Sequence, residues 1–112
     1  MNQKQYERAL EAVRNDCAIQ RKLIDDYGNT CAVGAMALAA GYTPHSLRRL
    51  RTYNGIAKRY GLQEDELRPI WRVNDHEYNQ SDRRLAVANV LHSIARSYNL
   101  ELKPEGEEQC GQ

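Results

Sequence analysis

Asn29-Thr30-Cys31-Ala32-Val33-Gly34-Ala35-Met36-Ala37-Leu38-Ala39-Ala40-Gly41 is the stretch that decides the fold, because ten consecutive residues, Cys31 to Ala40, carry no polar side chain. Asn29 or Thr30 can cap a helix start by accepting from backbone N–H groups two or three residues on, and Gly41 can close the helix end in the left-handed conformation. A helix of this length spans about 15 Å, half of what a bilayer needs, so a membrane span is excluded and a buried core helix is expected. Its alanines and glycine let neighbours approach closely, while Val33, Met36 and Leu38 supply bulk. A helix apolar all round must be surrounded by the others.

Upstream, Tyr6, Ala9, Leu10 and Val13 recur at spacings of three and four between charged residues, the pattern of an amphipathic helix from Lys4 to about Asn15. Cys17, Ile24 and Tyr27 roughly extend that stripe, with no breaker before Gly28, and predict a second helix over 16–27. Downstream, Thr43-Pro44 is a hydroxyl cap followed by proline at the first helical position, starting a short helix to about Arg51. Tyr53-Asn54-Gly55 reads as a turn, and 56–60 as one or two helical turns closed by Gly61. Leu62, Leu67, Ile70, Trp71 and Val73 mark a further stripe, which Pro69 should keep short, and 74–80 reads as a polar loop. Leu85, Ala88, Leu91, Ala95 and Tyr98 then define a final helix that Ser81 or Asp82 would cap and Asn99 would stop. No stretch alternates apolar and polar residues between turn signals, so the expected fold is all-α: a compact single-domain bundle of five to six short helices around a buried central one, over 1–100, with a flexible acidic tail over 101–112.

The chain has 112 residues, enough for one domain, and its 16 basic and 15 acidic residues create no global field for nucleic acid or membrane. Local charge is uneven. Residues 27–63 contain Arg48, Arg49, Arg51, Lys58 and Arg59 and no Asp or Glu, whereas 101–112 contain four glutamates against Lys103. The three cysteines, Cys17, Cys31 and Cys110, form no C-x-x-C pair, so neither a disulfide framework nor a zinc site is indicated and no cofactor is expected. With no apolar signal region at Met1-Asn2-Gln3-Lys4-Gln5, a reducing, cytoplasmic compartment is the expectation.

Three clusters invite a functional reading. Cys31 stands in the first turn of the core helix, where aligned N–H dipoles favour a thiolate; a cysteine-nucleophile enzyme would draw on His76 and Asp75 as base and orienting carboxylate. Against this, free cysteine is among the most buried residue types. The second cluster is basic: Arg48, Arg49 and Arg51, with His45 one turn earlier, Tyr53 close by and Lys58 and Arg59 beyond, form a surface for an acidic protein partner. The same segment fits a degenerate helix-turn-helix over 53–72, but the second helix opens on Glu64-Asp65-Glu66, where a phosphate backbone would approach, so nucleic acid is the less favoured partner. Third, Trp71 with Asn74-Asp75 is expected to anchor the loop before the final helix.

Cys31-Ala32-Val33-Gly34-Ala35, followed by Ile70-Trp71-Arg72-Val73-Asn74-Asp75 and then an amphipathic helix, resembles a family of short uncharacterised bacterial and phage helical proteins with a Cys-x-x-Gly-Ala helix start and a Trp-Asn-Asp element. The resemblance covers residues 28–95; here Arg72 and Val73 separate Trp71 from the Asn-Asp pair. It implies a small helical domain, assigns no activity, and points toward a phage-encoded inhibitor or adaptor of a host complex, for example an anti-defence protein.

Overall fold

The computed structural model describes residues 1–77 and 79–103. Helix α1, Gln3–Asn15, opens on a capping box: the Asn2 side chain accepts from the Gln5 N–H, and the Gln5 side chain from the Asn2 N–H. It buries the predicted face, Tyr6, Ala9, Leu10 and Val13.

The expected second helix does not form. Asp16 turns its carboxylate onto the N–H groups of Cys17 and Ala18, a local bond that competes with helix continuation, and Cys17 and Arg21 take positive φ angles of 113° and 69°. The chain instead runs as an irregular loop to an isolated antiparallel bridge between Ile24 and Thr30. At its tip the Asp25 carboxylate accepts from the N–H groups of Tyr27 and Asn29 and from the Asn29 amide, leaving Tyr27 91% exposed.

Helix α2, Ala32–Ala39, is the predicted core helix, with residues 32–37 all buried. Its cap is the Cys31 thiol, which accepts from the Gly34 N–H at 3.4 Å, and not Asn29 or Thr30, whose places are taken up in the hairpin. Gly41 closes it at φ +102°. Helix α2 packs against α1 and against the three helices that follow it in the chain: α3 (Pro44–Arg48), α4 (Asn54–Arg59) and α5 (Glu64–His76). Thr43 caps α3 as expected, with Ser46 completing a capping box, but the helix ends at Arg48 and leaves Arg51 in the linker. Helix α4 begins at Asn54, inside the expected turn, because the Glu64 carboxylate accepts the Tyr53 N–H at 2.8 Å and so completes its start.

Two other boundaries differ from expectation. Helix α5 runs thirteen residues through Pro69, absorbing Asn74, Asp75 and His76 from the expected loop; Asp65, whose carbonyl loses the Pro69 donor, lies on an exposed turn. Helix α6, Gln80–Ser97, is capped by Asn79, which accepts from the Asp82 N–H. Its buried face runs Arg83, Val87, Ala88, Leu91 and Ala95, so Leu85 falls off the stripe at 50% exposure. Asn99 ends the helix in the left-handed region, φ 60°.

Helices α1, α2, α5 and α6 close a ring in which each packs on the next, with α3 packed on α2 and α4 on both α2 and α5. The all-α bundle is therefore built as expected. Residues 101–103 lie along α1: Gln3 exchanges hydrogen bonds with the Glu101 backbone, and Lys103 donates its N–H to the Tyr6 hydroxyl. These three belong to the segment 101–112 that the sequence reads as a tail; its remainder, 104–112, lies outside the described residues.

Candidate functional site

The start of α2 brings together the two motifs that the sequence keeps forty residues apart. Asn74, fully buried, accepts the Ala32 N–H on Oδ1 at 3.0 Å and donates Nδ2 to the Ile19 carbonyl at 3.1 Å. Its own carbonyl receives the Gln20 amide at 2.9 Å, and the neighbouring Asp75 carboxylate takes the Arg21 N–H at 2.7 Å. Asn74 and Asp75 therefore hold the loop before α2, and not the loop before the last helix. Gly34 belongs to the same joint, because a Cβ there would stand 2.1 Å from the Leu23 carbonyl oxygen.

Cys31 sits inside this joint and is 4% exposed. Burial pushes its thiol up from the usual range, and the Gly34 N–H, which works in the opposite direction, does not reverse the shift. The lowered pKa expected of a helix-start nucleophile is not met. His76, its expected partner, is exposed in the last turn of α5, and Asp75 reaches the thiol as a nearby negative charge that raises the pKa further. Among the described residues no three His, Cys, Asp or Glu side chains gather closely enough to hold a metal ion.

Above the joint lies an open groove of about 700 Å³, walled by the hairpin loop, by the α3 and α4 linker and by α5. Its floor is the aromatic pair Tyr53 and Trp71, set edge to face with centroids 4.9 Å apart at 82°, together with Leu47 and Leu50. Burial, with Cys31 and Asp75 nearby, pushes the Tyr53 hydroxyl up.

The basic residues divide around this groove. Arg48 and Arg51 line it together with Lys22, which the loop delivers. The Arg48 guanidinium donates to the Asp25 carbonyl at 3.2 Å and pins the hairpin to α3. Arg59 turns elsewhere: it donates to the Ala40 carbonyl at 2.7 Å and lies 4.6 Å above the Tyr42 ring. His45, Arg49 and Lys58 are exposed outside the groove. The acids that open α5 turn largely inward, Glu64 onto the Tyr53 N–H and Glu66 onto the Gln63 N–H and Tyr98 hydroxyl, while Asp65 meets Arg68 at the surface.

Sequence reading missed Lys22 and the floor role of Trp71. Lys22 carried no signal, since its position depends on a loop fixed by Asn74 and Asp75 from α5. Trp71 stood on the apolar stripe, and only the approach of Tyr53 shows that it is shared between core and groove. No helix of the described residues is long and apolar enough to cross a membrane. The chain matches no protein family, no curated protein and no solved structure with which it was compared.

Proposed function

We propose that this chain is a small protein-binding module, of the inhibitor or adaptor kind, that presents its α3 and α4 region to an acidic protein surface. One observation carries the reading: His45, Arg48, Arg49, Arg51, Lys58 and Arg59 are all exposed, and none forms an ion pair among the described residues. Exposed cations without ion-pair partners attract a surface of opposite sign, which speeds encounter. Tyr53 at the groove and Tyr27 on its braced hairpin add the aromatic contact that dominates many interfaces. Nucleic acid is disfavoured by Asp26 and Glu64 in the groove wall and by Asp65 at the start of α5.

The test is affinity capture from a lysate of the cells that make the protein, comparing wild type with a variant carrying R48E, R49E and R51E. Wild type should retain proteins that the variant loses, the variant should keep its helical circular dichroism, and nuclease treatment should leave the captured set unchanged. Equal capture by both proteins, capture by neither, or loss on nuclease treatment would reject the reading.

A further inference from the structure

We infer that the groove over Tyr53 and Trp71 is a docking slot for an acidic segment of a partner protein that carries one large apolar side chain. The inference rests on the protein-binding reading and goes further in naming the place and the chemistry recognised. The apolar part of the argument comes from the floor: Leu47, Leu50, Tyr53 and Trp71 line an open space of about 700 Å³, within the range of about 300–1,000 Å³ usual for sites that enclose a ligand. The Tyr53 and Trp71 rings brace each other edge to face, so a side chain seated there meets a surface already ordered.

Charge selects the occupant. Five ionic side chains line the groove, Lys22, Arg48, Arg51, Asp26 and Glu64. Glu64 already accepts the Tyr53 N–H and Arg48 is lodged on the Asp25 carbonyl, whereas Lys22, Arg51 and Asp26 have no hydrogen-bond or ion-pair partner among the described residues, two cations against one carboxylate. The net unmet demand of the groove lining is thus for carboxylate. A polyphosphate chain would meet Asp26 and Glu64 in the same walls, which a peptide with spaced carboxylates can straddle.

A library of random linear peptides displayed on particles, selected on the whole protein, tests this. Enriched sequences should place Asp or Glu on both sides of a Leu, Phe or Trp. A synthetic peptide of the enriched sequence, with Phe at the apolar position, should shift the emission of Trp71, the sole tryptophan, as it binds. The double variant K22E with R51E changes two exposed side chains, so the fold is retained, and it should bind that peptide at least about tenfold more weakly. Enrichment without acidic bias, no enrichment, affinity unmoved in the double variant, or displacement of the peptide by single-stranded oligothymidylate would overturn the slot. If the slot fails while lysate capture still depends on Arg48, Arg49 and Arg51, protein binding stands and takes place on the outer basic face; if both are insensitive to charge, both readings fail.

Discussion

Asn74 joins two parts of the chain through a single amide. Its Oδ1 satisfies the Ala32 N–H, one of the donors that the first turn of α2 leaves without an intrahelical partner, and its Nδ2 satisfies the Ile19 carbonyl of the loop. Replacement by alanine strands both groups in a fully buried place, and each costs its desolvation penalty. Asn74→Ala should therefore lower stability by about 2–4 kcal/mol, seen as a lower urea midpoint at unchanged slope. A loss below about 0.5 kcal/mol would mean that water reaches the joint. The sequence announced the chemistry of this residue, an amide that satisfies backbone groups, but not its address, since the N–H it serves lies 42 positions away. Cys31 shows the complementary failure: its place at a helix start was legible, whereas its burial, which sets the direction of its pKa, depends on neighbours from α5 and the loop.

Elements whose evidence is periodic were readable, and those whose evidence is a distant contact were not. The stripes of α1 and α6 announce themselves because one face of each meets a core, and the all-apolar α2 has only one soluble solution, enclosure. The 16–27 segment carries a stripe too, but its backbone partners are Asn74, Asp75 and Arg83, which donates to the Cys17 carbonyl, so a loop wins over a helix. Gly34 tests the joint between these two elements. Helix propensity alone would favour alanine at this position by about 1 kcal/mol. Space argues the other way: the added Cβ would stand 2.1 Å from the Leu23 carbonyl, the same oxygen that accepts the Cys31 N–H. Overpacking against backbone should outweigh propensity, and Gly34→Ala should destabilise by about 2–3 kcal/mol, a fall of roughly 10 °C or more in thermal midpoint. A variant as stable as wild type would show that the loop can lift off α2 freely, and the Lys22 wall of the groove with it.

For the whole molecule, uneven charge was legible as composition, while the groove was not, because its walls come from three segments that only the ring of helices brings together. Burial in the core also sets how the protein responds to alkali. Burial pushes the Cys17 thiol up to about 12 and the Tyr60 hydroxyl up to about 12, and it raises Cys31, Tyr6 and Tyr53 as well. Each of these groups is neutral when protonated, so the folded chain holds protons that the unfolded chain releases near 9.0 for cysteine and 10.0 for tyrosine. The sign follows: their contribution to stability is fully present below pH 9 and is lost as pH rises toward 12. Across that window each fully buried group should remove on the order of 1 kcal/mol per pH unit, beginning with the thiols and steepening once the tyrosines of the unfolded chain ionise. Urea midpoints measured from about pH 8 to about pH 11 should therefore stay level at first and then fall with increasing slope. A Cys17→Ala variant should fall less steeply between the cysteine and tyrosine onsets, because a thiol pushed up to about 12 has been removed. A wild-type midpoint that stays level through this range would place water around Cys17 and Tyr60, and so contradict their burial in the hydrophobic core.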